Sequence, residues 1–163
     1  MSNTPEQPLK HNDKLDVLVV ENDAAAAHLT VEAFRMAGLD QGVQCLADGD
    51  EALGLLRREE KFADKPFPDL ICLDLHLPRK SGLQVLAELK SDPVLKRIPV
   101  IVVSGSDNPQ EVKEAYELHA SCFVRKPQDL DQFLWFIKVC FEFWGMVVTL
   151  PPGPELAALA GRR

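Results

Sequence analysis

Four short segments hold the residue types that could do chemistry together. Glu21, Asn22 and Asp23 follow the apolar run Leu15–Val20, and Asp74 sits inside the apolar segment Leu70–Leu75, ahead of His76. Ser104 closes the run Ile98–Val103, and Lys126 stands between Cys122–Arg125 and Pro127. A lone charge in an apolar strand is costly unless it is used or paired, so Asp74 stands out. Clustered carboxylates repel one another unless a cation lies between them, and magnesium suits oxygen ligands while keeping several waters. A carboxylate can also attack phosphorus and form an aspartyl phosphate. Phosphoryl transfer then asks for positioning and for charge neutralisation on the equatorial oxygens. A metal ion, the Lys126 ammonium and the Ser104 hydroxyl would supply that. Asp23 reads as a helix N-cap. Asn22 reads equally as a turn-shaping residue or as part of the site. His76 has no second histidine near it, so its main-chain carbonyl is a better metal ligand than its ring. His11, His28 and His119 fall in no motif.

The elements that must position these residues follow from the hydrophobic pattern. Strands are predicted at Leu15–Val20, Gly42–Ala47, Leu70–Leu75, Ile98–Val103 and Cys122–Arg125. Helices are predicted at Ala24–Ala37 with Gly38 ending it, from Asp48 through Arg58, at Gly82–Lys90, from the Asn108-Pro109 start to Leu118, and from Gln128 to Trp144. Strands alternating with helices imply a parallel α/β sheet covered on both faces. The common doubly wound order for five strands is 2-1-3-4-5, with ligands beyond the carboxyl ends. In that order the four chemical segments meet in one crevice.

Composition bounds the rest. The chain has 163 residues, 46% hydrophobic and 26% charged, with a formal net charge of -7. One core suffices at this length, and the acidic balance disfavours nucleic-acid binding. Met1–Lys14 is polar and carries no targeting pattern. Phe133–Val148 contains Lys138 and Glu142 and is too short to cross a bilayer, so no membrane role and a cytoplasmic location are expected. The four cysteines form no C-x-x-C pair and are expected to be free and buried. The division expected is a tail over 1–14, a domain over 15–146 and an arm over 147–163, with a short helical piece at Glu155–Ala160. In the last helix the stripe Leu130, Phe133, Leu134, Ile137, Phe141 and Trp144 would pack on the sheet. Trp135, Phe136, Val139, Cys140 and Phe143 then fall on other faces. A patch of that kind suggests a homodimer, unless the arm folds back over it.

The motifs V-V-E-N-D at 19–23, L-D-L-H-L-P at 73–78 with Gly82, V-V-S-G at 102–105 and V-R-K-P at 124–127 resemble the receiver domain of two-component response regulators. The spacing agrees, with 30 positions from Asp74 to Ser104 and 22 from there to Lys126. The resemblance covers about Asp16 to Trp144 and implies the flavodoxin-like receiver fold. It implies that Asp74 is the phosphoacceptor, and that Glu21, Asn22, Asp74 and the His76 carbonyl bind Mg2+. Lys126 would pair with the phosphoryl group, Ser104 would be the switch hydroxyl and Phe123 the switch aromatic. One departure matters: the second acidic ligand is replaced by Asn22, which offers an oxygen without charge, so weaker metal binding is expected. S-D-P-V-L-K-R-I-P at 91–99, L-H-A-S-C at 118–122, F-E-F-W at 141–144 and L-P-P at 150–152 are similar to small response regulators paired with bacterial phytochrome histidine kinases. That narrower likeness implies a phytochrome-type sensor kinase as partner, no DNA-binding output domain, and dimers through the last helix and arm. The chain would be a self-modifying switch with autophosphatase activity rather than a conventional enzyme. The alternative is a degenerate receiver that only binds proteins, because of Asn22. A phosphatase of this fold would carry a second Asp where His76 stands, and a flavin protein would want a Ser/Thr/Gly loop where Glu21-Asn22-Asp23 stands.

Overall fold

The computed structural model describes residues 15–36 and 42–162. The expected helix stop at Gly38 and the polar tail lie outside them. Five strands, β1 (Val17–Val20), β2 (Val43–Leu46), β3 (Leu70–Leu73), β4 (Val100–Ser104) and β5 (Cys122–Arg125), form one parallel sheet in the order β2-β1-β3-β4-β5. This is the order the alternating pattern predicts. The central strands are apolar because both of their faces are covered. Every residue of β1 and β4 is buried, whereas the edge strands β2 and β5 have no buried residue.

Alternate strand residues feed two cores. On one face Leu18, Val20, Ile71, Leu73, Val100 and Val102 meet the buried side chains of α2 (Gly49–Leu56) and α3 (Gly82–Ser91). On the other, Val17, Val19, Ile101 and Val103 meet Ala33 and Phe34 of α1 (Ala24–Met36) and Phe133, Phe136 and Ile137 of α5 (Leu130–Glu142). Local chemistry starts the helices, at Asp48 and Asn108 as the sequence predicts and at Ser81 in addition. Asp48 accepts from the amides of Asp50 and Glu51. Asn108 caps α4 (Pro109–Glu117), with Pro109 in its first turn. Ser81 and Gln84 form a full capping box on α3.

The last helix departs from expectation. It ends at Glu142 and gives way to a π-helical turn over Phe143–Val147. Phe136, expected on an outer face, is only 9% exposed and packs in the second core, while Leu130, expected to face the sheet, is 50% exposed. Nearly every residue here is apolar, so the sequence offers little contrast to mark the inner face. The outer face carries Trp135 at 67% exposure, with Val139, Phe143 and Val147 also exposed. The arm does fold back, but elsewhere. Its helix α6 (Gly153–Ala160) inserts Leu156 and Ala160 into the first core, beside Phe62 and Phe67. Cys45 is exposed on an edge strand rather than buried; Cys72, Cys122 and Cys140 are half-buried, and burial pushes the Cys140 thiol up to about 12. Among the described residues no helix is long and apolar enough to cross a membrane.

Candidate functional site

The site is built from backbone that continues the sheet ladder just past the strands. Val20 pairs with Leu73, so the next residues, Glu21 and Asp74, emerge side by side. The Asp74 amide donates to the Val20 carbonyl at 3.0 Å, and the Glu21 amide donates to Leu46 at 3.0 Å. Asp74 is thus the first residue beyond β3 rather than part of it, yet its main chain is still fixed by β1. On the other side, the Lys126 amide donates to the Ser104 carbonyl at 2.7 Å.

The side chains of Glu21, Asp74 and Lys126 converge. Lys126 Nζ lies 2.7 Å from Glu21 Oε2 and 3.7 Å from Asp74 Oδ2. Glu21 is 7% exposed and Asp74 8%. Two buried carboxylates thus share one ammonium. Glu21 Oε1 also accepts from the Asp23 amide, and Asp74 Oδ1 from the His76 amide at 3.3 Å. Burial holds the Glu21 carboxyl above its ordinary value, and the Asp74 charge adds to this against the opposing pull of Lys126. A small cavity behind the three groups is lined by Thr30, Phe133 and Ile137.

Ser104 is fully buried, and its hydroxyl accepts from the Ser106 amide at 3.2 Å. Phe123 is half-buried against the first core, and its amide donates to Tyr116 Oη at 3.2 Å. Asn22 is exposed. Asp23 accepts from the Ala26 amide at 2.9 Å and caps α1, as its sequence position predicts. Nε2 of the His76 ring lies 3.6 Å from Glu111 Oε1 on α4. Among the described residues no three His, Cys, Asp or Glu side chains are grouped to hold a metal. At the strand ends Glu21 and Asp74 are carboxylates and residue 22 is an asparagine.

Sequence reasoning missed the residues that brace the loop after Asp74. Arg79, at a φ of 63°, pairs with Asp48, and Lys80 pairs with Asp50 and Glu88. These pairs fasten the β3–α3 loop to the start of α2 and to α3. The signal was only P-R-K-S, which looks like any solvated loop. Ser106, Glu111 and Tyr116 were also missed, because each acts on a residue distant in its local pattern.

The sheet order and these strand-end groups define a receiver, and the comparisons agree. Residues 17–138 match the response regulator receiver domain, and the chain belongs to that family of two-component signalling proteins. Among its relatives is the response regulator Rcp1 of Synechocystis sp., 38% identical over 135 residues that span 83% of this chain and 92% of that protein. The Mn(2+)-bound form of Rcp1 superimposes with a TM-score of 0.80 over 85% of this chain and 99% of that one. The phosphorylated cyanobacterial phytochrome response regulator RcpA is 42% identical, with a TM-score of 0.81 and the same coverage.

Proposed function

We propose that this response regulator takes a phosphoryl group onto Asp74 from the phosphohistidine of a phytochrome-type sensor histidine kinase. The observation that carries the reading is the buried Asp74 carboxylate beside Lys126 and Glu21 at the carboxyl ends of the strands. Asp74 attacks phosphorus; the new O–P bond forms as the P–N bond to the kinase imidazole breaks, and the imidazole leaves with the electron pair. Lys126 follows the negative charge from Glu21 toward the transferred group, and the Ser104 hydroxyl turns to donate to one of its oxygens. Hydrolysis by water later returns Asp74 to its carboxylate. The kinship to the phytochrome response regulator RcpA supports the phytochrome assignment.

The donor set fits a divalent cation. Two buried carboxylates against one ammonium leave the site with one negative charge in excess, which a divalent cation would offset. Glu21, Asp74, the Asn22 side-chain oxygen and the His76 carbonyl would hold Mg2+, which supplies neutralising charge during transfer. The exposed Trp135 and Val139 of α5, with Phe143 of the turn that follows, support a homodimer through the last helix and that turn; Phe136 is committed to the core and takes no part. Phosphotransfer from a cognate kinase tests the function. Asp74→Asn is expected to abolish phosphoryl uptake without unfolding the protein. A wild-type chain that takes up no phosphoryl group, yet binds the kinase, would instead be a binding module.

A further inference from the structure

The loop between β3 and α3 is closed at its base and tethered at its tip. At the base the Gly82 amide donates to the Leu75 carbonyl at 2.8 Å. His76 is the first residue inside that closure, and its amide donates to Asp74 Oδ1 at 3.3 Å. At the tip the main chain of Arg79 turns with a φ of 63°, a conformation that residues other than glycine seldom adopt. Its guanidinium donates to Asp48 Oδ2. Asp48 is only 8% exposed, and its two carboxylate oxygens serve separate partners. Oδ1 accepts from the amides of Asp50 and Glu51 and starts α2, whereas Oδ2 takes Arg79. Close packing accompanies the tether. A side-chain carbon at Gly49 would stand 2.6 Å from Val85 Cγ2 and 3.3 Å from the Lys80 carbonyl oxygen. Between base and tip, Leu77 packs against the first core. The loop is thus held at base, core and tip, and His76 lies between the first two.

We propose that Asp48 and Arg79 are positioning residues that fix the aim of the His76 carbonyl, and so set the affinity of the Asp74 site for a divalent cation. The proposal rests on the reading of that carbonyl as a cation ligand. A main-chain carbonyl carries no net charge, so its worth as a ligand depends on where the backbone points it. Asn22 is also neutral, which makes the site lean further on the aim of its uncharged donors. The bond from the α2 cap to the loop tip is charge-assisted and fixes the tip against a rigid helix end. Losing it frees the tip to leave the left-handed region, and the locked φ of Pro78 passes the change back toward His76. Helix α2 thereby governs a site to which it contributes no ligand, as residues behind metal ligands commonly do.

Calorimetric titration of the full chain with Mg2+, with urea unfolding in parallel, tests this. Asp48→Asn keeps an oxygen to cap α2, since Asn and Asp cap equally well, and removes the charge facing Arg79. Arg79→Asn keeps a residue that tolerates positive φ but is too short to reach Asp48. Each is expected to weaken Mg2+ binding about fivefold, the worth of an ion pair with one exposed end. The double variant should lose no more than either single one, because both remove the same contact. Arg79→Lys, long and charged, should recover most of the affinity. Leu156→Ala, which lowers stability from the arm, should leave it unchanged. Wild-type affinity in both asparagine variants overturns the proposal, as do additive losses in the double variant or an equal weakening in Leu156→Ala. The 13C resonance of the residue-76 carbonyl separates this from the reading beneath it. If that resonance does not shift when Mg2+ is added to the wild type, the ligand reading of His76 fails. If it shifts and the variants bind as tightly as the wild type, only the tether fails.

Discussion

Lys126 lies a full ångström closer to Glu21 than to Asp74. The ammonium therefore balances the carboxylate that would share a metal ion, and leaves Asp74 less fully paired. Restoring the missing charge should strengthen cation binding: Asn22→Asp is expected to tighten Mg2+ by about tenfold, a discounted Coulombic gain for a partly solvated site. Calorimetric titration measures it, and an unchanged affinity would count against the charge argument. Glu21 also sets a pH dependence. Its folded-state carboxyl is raised, so between the ordinary glutamate value of 4.5 and that raised value the folded state binds more protons than the unfolded state. Stability from this group is complete below that window and is lost as pH rises through it. Glu21→Gln should flatten that fall in urea unfolding curves taken across the acid range. At this scale the sequence was informative where one residue contradicts its surroundings. Asp74 shows because it is a charge at the end of an apolar run, and Lys126 because it precedes a proline at a strand end. Which carboxylate the ammonium prefers was not legible, since that depends on distances set by three separate strands.

The loop and helix that follow β3 are held by contacts too close for any side chain at Gly82. A carbon there would stand 2.1 Å from the Asp74 carbonyl oxygen and 2.6 Å from Leu75 Cα. Both are main-chain atoms and cannot swing aside. Gly82→Ala should cost about 1–3 kcal/mol or more, as overpacking does, and should displace the Asp74 backbone; a chemical melt with phosphoryl uptake measured in parallel reads both. Loss of stability with normal uptake would mean the loop moves independently of Asp74. Elements with local start signals were legible: the Asp48 and Asn108 caps are written in adjacent residues. The inner face of α5 was not. Phe133, Phe136 and Ile137 face the core, yet the intervening positions are equally apolar, so only the sheet beneath decides which are covered. The closing π-helical turn had no local signal either.

Across the whole molecule the two ends of the last third of the chain serve opposite faces. α5 closes one core, and α6 plugs the other with Leu156 and Ala160. Leu156→Ala should therefore destabilise the receiver by about 2–5 kcal/mol, as for a buried leucine; an unaltered urea midpoint would show that the arm contributes nothing to the core. Because the arm leaves the outer face of α5 open, polar replacement of Trp135 and Phe143 together is expected to shift sedimentation toward monomer. A dimer that survives both changes must use another surface. The sequence alone left the choice between a covering arm and an open patch undecided, because it turns on where residues far apart along the chain come to lie.

The placement of aromatic side chains has an optical consequence. The chain has one tyrosine, and its phenol is bonded to the main chain of the residue proposed as switch aromatic. Its two tryptophans stand instead on α5 and the turn that follows, with the Trp144 ring edge-on to Phe143 at 5.6 Å. The near-ultraviolet spectrum therefore carries two located signals: the long-wavelength indole bands follow what touches α5 and its closing turn, and the phenol, which adds to the indoles at shorter wavelength, follows the joint between α4 and β5.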